Sequence, residues 1–226
     1  MKKKLFLAAT IFAAGIPSSQ AEINTIEAAL KHDARPQADV VRDVARRPAD
    51  ILEFLDIRPG MRVVDYIAGR GYYSEIFSHL LNDQGHLYSV RGRKDSRDFS
   101  AYSNVTLGQD LELKDVPEQV DRIFTALNYH DIVNNKKLDR QKILGAIKNK
   151  LRTGGYFVVI DHNTRTGAGL SDTKSKHRIE AAYVLNEITA AGFKLDSIST
   201  VLANPNDNYD LDVWQDTTKG KTDRFV

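Results

Sequence analysis

The stretch that decides the fold is Met61–Ser74, which reads MRVVDYIAGRGYYS. Residues 61–66 form a short apolar run with one acidic residue near its end, as is typical of a buried strand in a parallel sheet. Two glycines follow at alternate positions, Gly69 and Gly71. The pattern therefore predicts a strand that runs directly into a tight glycine turn.

A helix is predicted after this turn, because apolar residues recur at helical spacing as far as Gly85. Glycines allow a ligand to approach the backbone closely, and a helix N-terminus favours a negatively charged group. We therefore predict that Gly69 and Gly71 form the floor of a site for a nucleotide-type ligand. An ordinary strand-to-helix turn is the alternative that this motif leaves open.

Residues 1–21 have the order of a secretory signal peptide. Lys2–Lys4 are positively charged, Leu5–Ile16 are largely apolar, and small residues lead to Ala21. The apolar run is too short to span a bilayer. We predict export to the periplasm or beyond, with cleavage after Ala21 and no membrane attachment afterwards. The chain has no cysteine, which excludes disulfides and cysteine-linked lipids.

The charge balance argues against nucleic-acid binding. Lysine and arginine number 32 against 30 acidic residues, and three of the 32 lie at Lys2–Lys4, so the rest of the chain carries 29 against 30, a net charge of −1. Nucleic-acid binding requires a concentrated basic surface. We expect a small-molecule substrate instead, bound by one α/β domain at residues 60–226.

Residues 22–59 precede this domain and are predicted to be a helical lead-in. Their middle part is rich in charge, with Arg35, Arg42, Asp43, Arg46 and Arg47. One interpretation is a solvated helix face with local ion pairs, and the pattern alone favours it. The other is a lid over the glycine turn.

Strands and helices alternate through the rest of the chain. Further strands are predicted at residues 86–90, 104–107, 121–127, 156–160 and 193–202, with a last strand barely begun at the C-terminus. This alternation predicts an open, doubly wound parallel sheet with helices on both faces. Ligands of such sheets bind at the carboxyl ends of the strands.

The end of the second predicted strand departs from a ribose site. Such a site usually has an acidic residue about twenty positions beyond the glycines, but Arg91 stands there. Asp95 could substitute for the acid, or the basic residues Arg91, Arg93 and Lys94 could bind the 2′-phosphate of NADP. After the third strand, Asp110 could accept a hydrogen bond from an adenine amine.

Polar residues follow the fourth and fifth strands. We expect one site beside the glycine turn, made of Asn128, His130, Asp131, Asp161, His162 and His177, because neighbouring parallel strands end at one edge. An imidazole titrates near neutral pH, so His130 or His162 is a candidate general base, oriented by Asp131 or Asp161. The alternatives are residues that cap helices and loops, or ligands of a divalent metal.

These motifs together make the chain resemble a known family. From about Arg35 onward it resembles the exported class I methyltransferase-like proteins of bacteria. The motifs that carry the resemblance are Asp43, Arg46 and Pro48 of the lead-in, Gly69 to Tyr73, Asn128 to Asp131, Asp161 and His162, His177 to Ile179, and Gly220 to Phe225. Two positions depart from the pattern of ligand-binding relatives: Ile67, where the first glycine usually stands, and Arg91.

The resemblance implies a Rossmann-like, doubly wound seven-stranded sheet with an N-terminal helical lead-in. It also implies S-adenosyl-L-methionine as cofactor, in a pocket at residues 65–72. The predicted cofactor-binding residues are Asp65, Tyr66, Ala68, Gly69, Gly71, Tyr72, Arg91, Asp110 and Asn128.

The function that follows is an S-adenosylmethionine-dependent methyltransferase acting on a small acceptor. S-adenosylmethionine is made in the cytoplasm, so an exported enzyme would need a supply of it. The second hypothesis is therefore a non-catalytic periplasmic protein that binds a ligand or metal on the same fold. The third is an NADP-dependent oxidoreductase.

Overall fold

A computed structural model describes residues 25–226 of the protein, so the predicted signal peptide lies outside the described residues. Residues 25–30 are helical. The elements that follow are α1 (Gln37–Arg46), α2 (Pro48–Leu55), β1 (Arg62–Gly69), α3 (Tyr72–Leu81), β2 (His86–Gly92), β3 (Val105–Gly108), β4 (Val120–Ala126), α4 (Tyr129–Asn134), α5 (Arg140–Lys150), β5 (Leu151–His162), α6 (Ala181–Ala190) and β6 (Arg224–Phe225).

The strands form a single sheet in the order β3-β2-β1-β4-β5-β6. All neighbouring pairs are parallel except β5 and β6, which are antiparallel. In the middle of the sheet, Asp65 of β1 lies between Ser89 of β2 and Phe124 of β4. The carboxyl ends of β1, β2 and β4 therefore meet at one edge.

Two apolar cores lie on opposite faces of this sheet. Successive side chains of a strand point to opposite faces, and Val63 and Val64 of β1 accordingly enter different cores. Val63 packs with residues of α2 and α3, and Val64 with residues of α4, α5 and α6. The doubly wound α/β fold predicted from the sequence is confirmed.

The strand predicted at residues 193–202 is wrong, and the described sheet has six strands, not seven. Residues 193–200 have no regular secondary structure. Only two backbone hydrogen bonds join this segment to the C-terminus, from Ser199 N–H to Val226 O and from Arg224 N–H to Leu202 O, both 3.2 Å. The neighbouring strand β6 has only two residues, which is too short a partner to support a ladder.

Helix α1 turns its charged side inward and its apolar side outward. Asp39 is buried, whereas Val44 is 88% exposed and Val41 is also exposed. Arg35, just before the helix, is buried as well. The solvated charged face that the pattern favoured is present only in part. Arg42 and Arg47 form the predicted local ion pairs, with Asp39 and Asp50, whereas Arg35 and Asp43 find their partners inside the protein.

Residues 25–226 contain no helix that could span a lipid bilayer.

Candidate functional site

Three strands end in strained backbone at the same edge of the sheet. Ile67 near the end of β1 (φ 60°), Arg91 near the end of β2 (φ 56°) and Leu127 just after β4 (φ 63°) all adopt the left-handed region. Each such residue costs on the order of 1–3 kcal/mol, and a β-branched one such as Ile67 is a genuine outlier. Strain of this kind clusters at functional sites, so this edge is the first candidate.

The glycine turn follows directly from Ile67. Gly69 (φ 59°) has nothing within 4 Å of the position that a Cβ would occupy. A Cβ on Gly71 (φ 85°) would lie 3.1 Å from the Phe99 ring instead. Of the two predicted floor residues, Gly69 therefore faces open space that a ligand can fill, whereas Gly71 packs against the protein and begins α3.

Asp65 lies buried beneath this turn. Burial raises its pKa to about 6, and hydrogen bonds from Ser74 and the charge of Arg46 offset that effect only in part. The Ser74 hydroxyl donates to the carboxylate at 2.6 Å and also contacts the Ser89 hydroxyl at 2.9 Å. A cationic group of a ligand near Asp65 would favour its charged form.

Other predicted cofactor residues turn out to have protein partners. The Tyr66 hydroxyl donates to the carbonyl of Leu111 (2.8 Å), on the face of the sheet where α4 to α6 pack. The Ala68 carbonyl accepts from the backbone N–H of Gly71 (3.0 Å). Asp110 pairs with Lys114 and accepts the N–H of Glu112, and Arg91 is exposed. The structure thus gives Tyr66, Ala68 and Asp110 roles in holding loops.

Asn128 connects the end of β1 to the end of β4. Its side-chain amide donates to the carbonyl of Ile67 (2.9 Å) and to that of Ala126 (2.6 Å). The same residue begins α4, which carries His130. Asn128 is therefore placed to fix the glycine turn relative to the polar residues after β4.

Helix α1 is fastened over the start of α3 through Tyr72. The Tyr72 hydroxyl donates to Asp43 (2.5 Å), and Arg35 binds the same carboxylate in a bidentate pair (2.9 and 2.7 Å). The guanidinium carbons of Arg46 and Arg42 lie 4.3 and 4.9 Å from the centre of the Tyr72 ring, which are cation–π distances.

A second fastening runs through Arg97, which sequence reasoning missed. Its guanidinium donates to the carbonyl of Gly71 (3.1 Å), to Glu75 (2.8 Å) and to Asp39 of α1. The available signal was the spacing of Asp39, Asp43 and Arg46 along one helix face, opposite to the valines. These contacts favour the second interpretation of the lead-in, a cover over the glycine turn.

On the other side of the strained edge, Asp161 at the end of β5 is fully buried and holds His130. Its carboxylate accepts from the backbone N–H groups of His130 and His162, both at 2.8 Å. Nδ1 of His130 lies 2.8 and 3.0 Å from the two carboxylate oxygens. Asp161 is thus the residue that orients His130, one of the two pairings that the sequence left open.

The pKa of His130 reflects this pairing. Burial alone would lower the pKa, but the hydrogen bond and the charge of Asp161 outweigh burial and raise it above the usual value. With Nδ1 bound to Asp161, Nε2 of His130 points toward Asp131 and His177. Nε2 is therefore the atom through which His130 can meet a ligand.

His177 completes this cluster from the loop before α6. Its Nδ1 lies 3.3 Å from Nε2 of His130. Its backbone is left-handed (φ 55°), and its ring lies 6.1 Å from the exposed ring of Trp214. The structure thus brings together His130, Asp131 and His177, as the topology predicted.

His162 belongs to a different environment. Its Nδ1 contacts the hydroxyl of Thr222 (2.7 Å), and its ring centre lies 6.4 Å from that of His130. Burial lowers the pKa of His162 to about 3, against the opposing charge of Asp161. The residue is therefore neutral at physiological pH and fills the space behind the cluster, so it is a poor candidate for a general base.

Two arginines, Arg46 and Arg224, act electrostatically on residues at this edge of the sheet. Nε of Arg224 is buried without a partner among residues 25–226, while its Nη2 donates to the carbonyl of Ala45 (2.6 Å). The charge of Arg46 influences the pKa of Asp65, and that of Arg224 the pKa of His162. An anionic group of a ligand would be favoured between the two guanidiniums.

A cavity of about 550 Å³ lies away from these residues. It is mostly apolar and is lined by residues of β5, α6 and 193–198, among them Phe157, Val184 and Ile198, and by none of the residues of the glycine turn or the histidine cluster. Residues 193–198, where a strand was expected, form one wall of this cavity.

Comparison with known proteins supports the fold. No protein family matches the chain in a comparison with family profiles. A 67-residue segment is 36% identical to protein-L-isoaspartate O-methyltransferase of Methanothermobacter thermautotrophicus, covering 26% of this chain and 30% of that protein. The match thus spans less than a third of the length of this curated relative.

Solved structures match over much more of the chain. A SAM-dependent methyltransferase from Aquifex aeolicus superimposes with a TM-score of 0.60 at 18% identity, covering 90% of this chain and 95% of that one. An arsenic(III) S-adenosylmethionine methyltransferase from Chlamydomonas reinhardtii gives 0.53 at 14% identity, over 89% and 71%. At these identities the likeness establishes the class I methyltransferase fold.

Proposed function

We propose that the protein is an S-adenosylmethionine-dependent methyltransferase that acts on a small-molecule acceptor. One observation carries the proposal: on a class I methyltransferase fold, the strained glycine turn and the Asp161–His130 pair lie at the same edge of the sheet. Asn128 joins the two through its bond to Ile67. One end of this edge is suited to hold a methyl donor, and the other to hold the acceptor.

The residues at the glycine turn fit such a donor. Gly69 leaves space that a Cβ would fill, and Asp65 lies buried below it. Arg46 and Arg224 offer positive charge, Arg46 beside the Tyr72 ring and Arg224 with a buried Nε that has no partner in the described part of the chain. An amino-acid group has one cationic and one anionic end, and these residues match both.

When bound, S-adenosylmethionine would supply a methyl group on a sulfonium sulfur. Transfer of this methyl to the acceptor would leave S-adenosylhomocysteine. The protein's own contribution is to position the acceptor and to receive its proton. Nε2 of His130 is the atom placed to accept that proton, because Asp161 holds Nδ1. Asp161 also stabilises the imidazolium that results.

We also propose export, on the basis of the order of charged, apolar and small residues at positions 1–21. Mass measurement of the secreted protein tests this point. A mature chain that still begins at Met1 would refute it.

Calorimetric titration with S-adenosylmethionine, S-adenosylhomocysteine and NADPH tests the proposed function. We expect the first two to bind and NADPH not to bind. Gly69→Ala should weaken binding at least about tenfold, because its Cβ enters the donor space. Gly169→Ala is the matched control, since Gly169 also has left-handed backbone (φ 54°) and open space around its Cβ position, so it carries the same backbone strain away from the site.

Three outcomes count against the proposal. Binding of NADPH alone would favour the oxidoreductase. Equal affinity in the Gly69→Ala variant would place the donor elsewhere. Binding of S-adenosylmethionine without methyl transfer to any hydroxyl, amine or thiol acceptor would favour the non-catalytic binding protein.

A further inference from the structure

We propose that His130, Asp131 and His177 form a binding site for a divalent transition-metal ion of the zinc type. The inference deepens the proposed function, because it assigns a ligand to the acceptor end of the site. It rests on geometry that does not depend on the methyl donor. It can therefore fail or succeed independently.

The distances between the three ligand atoms are the first argument. Nε2 of His130 lies 3.3 Å from Nδ1 of His177 and 3.5 Å from Oδ1 of Asp131, and the latter two atoms are 3.9 Å apart. A tetrahedral zinc ion with bonds of about 2.0–2.2 Å separates its ligand atoms by roughly 3.3–3.6 Å. Two of the three separations already lie in that range, and the third needs a shift of only a few tenths of an ångström.

The second argument is the partner of the other ring nitrogen. Metal-binding histidines usually donate their second N–H to a carboxylate or carbonyl, which fixes the tautomer and the ring orientation. Asp161 provides such a carboxylate to Nδ1 of His130. Two backbone N–H groups and complete burial hold Asp161 in turn. The Nε2 lone pair is thereby directed at the other two residues.

The third argument is the backbone conformation that positions His177. The residue sits in left-handed backbone (φ 55°), a conformation that is costly for a residue other than glycine. The next residue, Arg178, is fully buried and anchors the loop through Asp207 (2.8 and 3.1 Å) and the carbonyl of Asn163 (3.0 Å). Strained backbone that is held rigidly, so that one imidazole lies against another, is typical of a ligand-binding site.

The site leaves room for an exogenous ligand. The Asp131 side chain is 60% exposed and that of His177 is partly exposed, so one side of the three ligand atoms faces solvent and the ring of Trp214. Catalytic zinc sites have three protein ligands and one open position, in contrast to closed structural sites. An acceptor with a hydroxyl or thiol group is the class of substrate that such an ion would bind. With the ion bound, Nε2 of His130 would be a ligand and no longer a proton acceptor, and the ion would itself lower the pKa of the bound hydroxyl or thiol, whose proton would leave to solvent.

The competing explanation is a hydrogen-bond cluster, in which one histidine donates to the other. Binding of zinc and cobalt to the full-length, chelator-treated protein separates the two explanations. We expect one equivalent of Zn²⁺ by calorimetry. Co²⁺ in the same site should show the visible absorption of a four- or five-coordinate ion, and Zn²⁺ should displace it.

Two variants test the assignment without disturbing the fold. His177→Asn keeps a residue that tolerates left-handed backbone but shortens the side chain, and Asp131→Asn is isosteric at an exposed position. Each should weaken Zn²⁺ binding at least about tenfold, and Asp161→Asn should weaken it by about 10–100-fold. The control is Asp83→Asn together with His86→Ala, which removes an acid and an imidazole outside the cluster.

The outcomes also separate this proposal from the methyl-donor proposal. Metal affinity that is unchanged in both His177→Asn and Asp131→Asn, with unchanged melting temperatures, would overturn the metal site. So would an absence of binding in the wild type. A wild-type protein that binds Zn²⁺ but not S-adenosylmethionine would overturn the proposed function without contradicting the metal site.

Discussion

The buried imidazole of His162 predicts a specific loss of stability in acid. Its pKa in the folded protein is about 3, against an ordinary value of 6.5, chiefly because of burial. Between these two pH values the imidazole of His162 is protonated in the unfolded chain but neutral in the folded chain. The contribution of His162 to stability is therefore complete above pH 6.5 and is lost as the pH falls toward 3.

The magnitude follows from the two pKa values. Between pH 7 and pH 5 the unfolded imidazole becomes largely protonated and the folded one does not, which costs about 2 kcal/mol of unfolding free energy. Asp65 acts in the opposite direction in part of this range, because its folded pKa is raised to about 6. The effect of His162 must therefore be measured as a difference between variants.

His162→Asn removes the titration and keeps a polar atom near the Thr222 hydroxyl. Urea denaturation at pH 7 and pH 5 should show that the variant, although less stable at pH 7, loses about 2 kcal/mol less on acidification than the wild type. Thr222→Val is the control. It removes the hydrogen bond at 2.7 Å but leaves His162 buried, so the pH dependence should persist.

The reasoning is refuted if wild type and His162→Asn lose the same free energy between pH 7 and pH 5. That result would mean that the folded protein accepts a proton on His162 without penalty. The neutral, structural role assigned to this ring would then be wrong.

Three further predictions concern the contacts around the site. Arg178→Ala leaves the Asp207 carboxylate buried without its partner and should cost about 3–5 kcal/mol in urea denaturation; a loss below about 1 kcal/mol would contradict the assigned anchor. Tyr72→Phe removes the hydrogen bond to Asp43 and should speed amide exchange in α1, and unchanged exchange would show that α1 is held by other contacts. Asn128→Ala should lower both stability, by about 1–3 kcal/mol, and affinity for S-adenosylmethionine; a loss of stability alone, measured beside calorimetric titration, would reduce Asn128 to a structural residue.

The sequence was most informative where structure is decided locally. The run from Met61 to Ser74 contains a complete strand, turn and helix start, and the structure has β1 and α3 there. The meeting of His130, Asp131 and Asp161 followed from topology, since parallel strands end at one edge. Which aspartate orients His130 could not be predicted, because that depends on side-chain direction.

The errors arose where burial decides. His162 looked equivalent to His130 in sequence, but burial and the contact with the Thr222 hydroxyl make it a neutral, structural residue. Helix α1 was misjudged in part because charged residues usually face water, whereas here Tyr72 and Arg97 supply partners inside. The strand predicted at residues 193–202 failed because its neighbour β6 is too short, a fact that only the folded sheet shows.

The short sixth strand has a consequence for the behaviour of the protein in solution. β6 pairs with β5 only at Asp161 and His162, so the outer edge of Leu151–Ile160 has no strand partner among the described residues. This edge includes the uncharged run Phe157–Ile160. Exposed edges with such runs are templates for intermolecular strand addition. When the segment at residues 193–198 loosens, on warming or during refolding, aggregation should begin here, and yields should fall as protein concentration rises.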